Sequence, residues 1–174
     1  MYQAISKIGS FEAAHRLLNH PGKCSSVHGH SYRWKLTLHL LEPHTSEQII
    51  IDYGDISTIF KGYVDTYLDH CCLCNPADKE LESFLLSQES KLYYMSLDNH
   101  TCLTSAENLA KELFLSAQLL FDEAEEVQVA SIELAETKKN STVVTAQAIY
   151  AEEREQFTLA KQLLIKEYIT NLEV

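Results

Sequence analysis

The chain has 174 residues, 45% hydrophobic and 22% charged, which is enough for one domain that builds its own core without staples. Fourteen basic against 25 acidic residues leave a net charge of −11; this disfavours nucleic acid and anionic membrane as partners and makes any site for an anionic substrate a local basic exception. The first fifteen residues hold no continuous apolar run and no stretch is long enough to span a bilayer, so the cysteines (Cys24, Cys71, Cys72, Cys74 and Cys102) are expected as free thiols in a reducing cytoplasm.

Tyr2 to Ala14 reads as a first strand, with imperfect alternation and a possible bulge at Gly9. Phe11, Ala13 and His15 share a parity at its end, and Arg16 follows. Asn19-His20-Pro21-Gly22 is turn chemistry. Ser31 to Leu41 alternates cleanly, with Tyr32, Trp34, Leu36, Leu38 and Leu40 on one parity. Extended backward, that parity takes in His28 and His30. Two inward imidazoles at i, i+2 suit a borderline-soft divalent metal such as zinc, and His15 at the end of the neighbouring strand is a candidate third. The plainer alternative is a set of buried, hydrogen-bonded histidines.

Glu42-Pro43-His44-Thr45 predicts a turn, and Gln48 to Ile51 is a short apolar run. Asp52 is a candidate N-cap for a helix carrying Ile56, Ile59, Phe60, Tyr63, Val64 and Tyr67 and ending near Leu68. Asp69-His70 pairs a carboxylate with an imidazole, or simply puts a histidine at a helix C-terminus. Cys71-Cys72-Leu73-Cys74 is too tight for a zinc knuckle, so these thiols are expected to pack or to face solvent. Within 75–103 the sequence offers one short strand candidate, Lys91 to Leu97.

Thr104 with Glu107 predicts a capping box for a second strong helix whose stripe is Leu109, Leu113, Phe114, Ala117, Leu120 and Phe121. Val127 to Leu134 reads as a strand running into Ala135-Glu136-Thr137. A polar turn follows at Lys138-Lys139-Asn140-Ser141, then a strand from Thr142 to Tyr150. Two hairpins flanking two helices predict an α+β unit over 1–150, an antiparallel sheet with both helices on one face. Residues 151–174 read as a C-terminal helical extension with Phe157, Ala160, Leu164 and Tyr168 on one face, widened by Leu163, Ile165 and Ile169.

The segments Phe11-Glu12-Ala13-Ala14-His15-Arg16-Leu17, Cys24 through His28-Gly29-His30, Asp52-Tyr53-Gly54-Asp55, Leu68-Asp69-His70, Thr104-Ser105-Ala106-Glu107-Asn108-Leu109-Ala110 and Glu136-Thr137 occur in this order. Over about residues 2 to 150 the sequence resembles the 6-pyruvoyltetrahydropterin synthase / 6-carboxytetrahydropterin synthase family. The resemblance implies a tunnelling fold (β-β-α-α-β-β) whose subunits form an oligomeric barrel, usually a hexamer of two trimers, with active sites between subunits. It implies Zn2+ on His15, His28 and His30, and Cys24 as catalytic base or acid. Asp69 and His70 would act as a relay and Glu136 as the anchor of the pterin ring, with Ser105 and Glu107 at its rim. Arg16, Lys23, Lys138 and Lys139 are the candidates for a substrate triphosphate, although the lysines also fit solvated turns. Only Ser25-Ser26-Val27 separate Cys24 from His28, whereas the pyruvoyl branch typically has five residues there; this favours the carboxy branch, a lyase of the queuosine pathway acting on 7,8-dihydroneopterin triphosphate. The run Cys71 to Cys74, the segment 75–103 and the chain after Tyr150 depart from the family pattern. The rival of another class is a structural zinc module in which Cys24 closes a tetrahedron; a zinc hydrolase lacks its His-Glu-x-x-His helix.

Overall fold

The computed structural model describes residues 3–41, 49, 51–97 and 103–172. The turn expected at Glu42 to Thr45, most of the apolar run before Ile51, and Cys102 lie outside the described residues. The sheet has six strands: β1 (Ala4–His15), β2 (His28–Leu40), β3 (Cys71–Cys74), β4 (Leu92–Tyr94), β5 (Val127–Ala135) and β6 (Ser141–Val144), in the order β4-β3-β1-β2-β5-β6. The antiparallel framework β1-β2-β5-β6 matches the two expected hairpins. Two short strands extend it: β3 runs parallel to β1 and β4 parallel to β3, so the sheet is mixed. A four-residue strand covered on both faces need not alternate, which is why Cys71 to Cys74 reads only as a thiol cluster in the sequence.

The β1–β2 ladder runs without interruption from Ala4↔His39 to His15↔His28. Gly9 therefore marks no bulge. It faces Trp34, whose buried indole occupies the space a Cβ would need. The register shift lies instead between Thr37 and Leu38, where β2 meets β5. β6 stops at Val144, earlier than the alternation to Tyr150 suggests, and a 3-10 turn at Ala146–Ala148 follows.

The inward parity of β1, β2 and β5 packs under two helical layers. α1 (Tyr53–Ile56) and α2 (Gly62–Tyr67) are joined by a π turn, Ser57–Lys61, into one continuous helix. Asp52 caps it, its carboxylate accepting from Gly54 N at 2.5 Å. The second layer is α4 (Ala106–Leu120), which buries Leu109, Leu113, Phe114 and Ala117. Its N-cap is Ser105, whose hydroxyl accepts from Asn108 N, while the Thr104 hydroxyl donates to the Arg16 carbonyl at 2.7 Å. The Thr104–Glu107 capping box is thus replaced by a cap one residue later, because Thr104 is taken by the end of β1.

α3 (Lys79–Ser87), absent from the expected helix pair, lies by the other side of β3: the Cys74 thiol is desolvated beside Glu82 and Asp78 there. Burial pushes Cys71 up to about 12 and Cys74 up to about 11, so both stay protonated and act as packing groups.

The C-terminal helix α5 (Ala151–Leu172) closes the helical side. Its buried stripe is Phe157, Lys161, Ile165 and Tyr168; Ala160 and Leu163 are exposed and Leu164 is only partly buried. The stripe is rotated from the apolar reading because Lys161 is drawn inward. Its Nζ donates to the Tyr94 carbonyl at 2.5 Å and lies 3.9 Å from the Tyr93 ring centroid, and the Glu112 carboxylate attracts it. Glu112, fully buried, accepts from Tyr93 Oη at 3.0 Å and Leu97 N at 3.2 Å. At the helix's far end the Tyr168 hydroxyl donates to the Thr58 carbonyl in the π turn at 2.8 Å.

Candidate metal centre and active site

Strand alternation brings three imidazoles to one place. β1 delivers His15 and β2 delivers His28 and His30, on the inward face and in register, with His15 opposite His28 and Ala13 opposite His30. Ring centroids are 4.6 Å (His15–His28), 5.1 Å (His15–His30) and 4.9 Å (His28–His30) apart. One ligand atom from each ring lies within 4.8 Å of the others.

The rings suit a metal by chemistry as well as by position. His15 Nδ1 lies 2.7 Å from the Thr104 carbonyl, and His28 Nδ1 lies 2.7 Å from the Ser26 carbonyl. A carbonyl only accepts, so each Nδ1 carries the proton and each Nε2 is left as a lone-pair donor. The Nε2 atoms of His15 and His30 are buried without a hydrogen-bond partner. That is a costly state for a satisfied core histidine and the expected one for a ligand. Burial, the largest influence on His15, lowers its pKa, and the neutral ring is the ligating form. The described residues could therefore hold a metal ion at this cluster. Cys24 stands in the 3-10 turn Lys23–Ser25, half-buried, and is not a member of the cluster.

Glu136 continues the inward parity of Ile132 and Leu134 past the end of β5. Its Oε1 sits 3.7 Å from His15 Nε2 and 3.6 Å from His30 Nε2. Tyr32, beside His30 on β2, is buried with its hydroxyl unpartnered, and burial pushes its pKa far up, so it remains a neutral phenol. Ser105 caps α4 and Glu107 lies in its first turn; Thr104, just before the cap, orients His15. Sequence reading misses Thr104 and Ser26 as orienting groups, because a backbone carbonyl leaves no trace in residue type.

Asp69 and His70 touch each other, Oδ2 to Nδ1 at 2.7 Å, and Glu12 N donates to Asp69 Oδ1 at 2.9 Å. The Glu12 N–H, foremost, holds the Asp69 carboxyl below its ordinary value, with His70 contributing. His70 has φ 59°, a left-handed backbone that a histidine adopts at some cost and that recurs at functional sites. Its side chain is 77% exposed. It lines a hollow of about 360 Å³ together with Glu12, Ala14, Gly29 and Ser31 of the outward parity and with Ala13, His30 and Cys71. The dyad therefore stands beside the outward residues Glu12 and Ala14 of β1, at a hollow that His30 also borders.

Arg16 is committed elsewhere. Its Nε and Nη2 both lie 2.6 Å from the carboxylate of Asp78, a buried residue at the N-terminus of α3. Two of its nitrogens are taken by that pair, so it ties β1 to α3.

A protein-family model described as 6-pyruvoyl tetrahydropterin synthase matches residues 4–147. The chain belongs to this family. Among relatives of known name, the 6-carboxy-5,6,7,8-tetrahydropterin synthase of Rickettsia bellii is 33% identical over 128 residues, covering 73% of this chain and 88% of the relative. The Haemophilus influenzae protein of the same name is 30% identical over 138 residues, covering 76% and 92%. Solved structures agree in fold. The 6-pyruvoyl tetrahydropterin synthase of Caenorhabditis elegans superposes with a TM-score of 0.59 at 22% identity over 84% of this chain and 96% of that one. An uncharacterized protein of Wolinella succinogenes superposes with a TM-score of 0.65 at 17% identity, over 84% and 99%. This member of the tetrahydropterin synthase family keeps the tunnelling fold and adds the helix α5. Among the described residues no helix is long and apolar enough to cross a membrane.

Proposed function

We propose that this chain is a zinc-dependent 6-carboxytetrahydropterin synthase. It converts 7,8-dihydroneopterin triphosphate to 6-carboxytetrahydropterin with release of acetaldehyde and triphosphate, a carbon–carbon lyase step of the queuosine pathway in the cytoplasm. The observation that carries this reading is the cluster of His15, His28 and His30 with two buried, unpartnered Nε2 atoms. The three-residue spacing from Cys24 to His28 and the names of the curated relatives support the carboxy branch.

Zn2+ held by the three imidazoles would polarise a side-chain oxygen of the substrate and make its protons easier to remove. Cys24 moves the proton required for carbon–carbon cleavage. Glu136 anchors the pterin by accepting from its amino and ring N–H groups, with Ser105 and Glu107 at the rim. Asp69 fixes the His70 tautomer, leaving Nε2 of His70 to relay a proton. Because His70 is exposed and opens over the outward residues of β1, a second copy supplies the relay, which fits a homo-oligomeric barrel, a hexamer of two trimers. The triphosphate falls to Lys23, Lys138 and Lys139, with Arg16 contributing the part of its guanidinium that Asp78 leaves free.

The test is to incubate the zinc-loaded protein with 7,8-dihydroneopterin triphosphate and identify the small products. Acetaldehyde with triphosphate is the expected result. Triphosphate alone assigns the chain to the pyruvoyl branch, and no product from metal-loaded protein leaves it a structural zinc module.

A further inference from the structure

Glu136 faces a nitrogen atom of His15 that cannot donate to it. Its Oε1 lies 3.7 Å from His15 Nε2 and 3.6 Å from His30 Nε2. The His15 proton is on Nδ1, fixed by the Thr104 carbonyl at 2.7 Å, so Nε2 turns a lone pair towards the carboxylate. The separation exceeds a hydrogen bond, and both Nε2 atoms are without one. Two electron-rich atoms held this close in a buried place repel unless a cation sits between them. A metal bonded at roughly 2.0–2.2 Å to a nitrogen and an oxygen this far apart subtends an angle of about 120°, compatible with a four-coordinate site.

The backbone holds the carboxylate where it is. Glu136 follows the inward residues Ile132 and Leu134, and its N–H donates to the Asn140 carbonyl at 3.1 Å. The turn beyond is tied by Thr137 Oγ1, which accepts from Lys139 N at 3.2 Å and Asn140 N at 3.1 Å. Glu136 is 25% exposed, so it approaches the cluster from the solvent side.

We infer that Glu136 is a fourth ligand of the resting metal site and closes the position that substrate must occupy. On binding, its carboxylate exchanges the metal for the N–H donors of the ring, so that one residue both guards the open position and reports that the substrate is seated. The exchange rests on the pterin reading above; the ligation does not. No bond other than ligand contacts is made or broken, and no proton is transferred.

The experiment is metal binding, read without turnover. Zinc affinity is measured by competition with a chromophoric chelator for the unaltered protein, Glu136→Gln, Glu136→Ala and His15→Ala, and the visible spectrum of each Co2+-loaded form is recorded. Ligation by Glu136 predicts at least a tenfold loss of zinc affinity in both Glu136 variants and a shifted cobalt band. Both variants within twofold of the unaltered protein, with its cobalt spectrum, would overturn the inference while leaving the three-histidine site in place. Failure of the unaltered protein to bind zinc would instead remove the metal reading itself. Saturation of the cobalt form with 7,8-dihydroneopterin is expected to move its band towards that of Glu136→Gln; a band that stays put at saturation refutes the exchange.

Discussion

Gly62→Ala is expected to destabilise a protein whose helix should gain from it. In an ordinary helix interior the substitution contributes about 1 kcal/mol of stability. Here a Cβ on Gly62 would run into the Tyr168 hydroxyl, which donates to the Thr58 carbonyl in the π turn. Tyr168 is buried and set against Tyr63 and Tyr67, with centroids 5.6 and 6.0 Å away, so its ring has little freedom to swing aside. The overlap costs about 1–3 kcal/mol as overpacking, and the displaced hydrogen bond about 1 kcal/mol more. The net effect is a loss of about 1–3 kcal/mol, or several degrees in the thermal midpoint of a chain this size. Tyr168→Phe removes the colliding atom at the expense of its hydrogen bond. In that background Gly62→Ala should turn neutral or stabilising, giving a coupling of more than 1 kcal/mol in a double-mutant cycle followed by denaturant unfolding. A Gly62→Ala protein more stable than its parent, or strictly additive variants, would refute the idea that α5 is keyed into the body of the domain through this contact.

Lys161→Met strips the buried Glu112 of its countercharge and should cost about 3–5 kcal/mol, recovered in large part by adding Glu112→Gln, as guanidinium midpoints would show. Asp69 and Asp78 are both held below the ordinary 3.8, Asp78 chiefly by Arg16 and Asp69 chiefly by the Glu12 N–H. Their stabilisation is full above that value and is lost as pH falls through the lower folded-state values; Asp78→Asn should lower stability at neutral pH and flatten the acid limb of a pH–stability curve. Cys24→Ala should keep the fold and bound zinc, measured by metal analysis, while product formation falls about 10²–10⁴-fold. A Cβ on Gly29 would meet the Ala13 carbonyl at 3.4 Å and Ala14 Cα at 4.0 Å, ordinary contacts, so Gly29→Ala should fold and bind metal normally. Lower turnover in that variant would mark the hollow beside His70 as part of the reaction path.

What the sequence made legible was whatever depends on strand parity. His15, His28 and His30 each continue an alternation set by large apolar neighbours, and a slip of one residue would have thrown them to the other face; Glu136 was singled out only by the family resemblance. The Asp52 cap and the stripe of α4 were readable for the same local reason. Partnerships between distant segments were not. Arg16 looks like a free cation until Asp78, 62 positions on, is known to hold it. Lys161 looks like a solvent residue until Glu112 draws it inward and rotates the stripe of α5 with it. Parity also carries the sharpest functional constraint. It sets the imidazoles and Glu136 on one face of β1 and β2, while Asp69 hangs on the Glu12 N–H and His70 opens onto the other. The strands that carry the first set also form the floor beneath the second. The relay proposed for Asp69 and His70 would then run from one copy to the next, so a variant held as single copies is expected to keep its fold and its metal, by metal analysis, and to lose turnover.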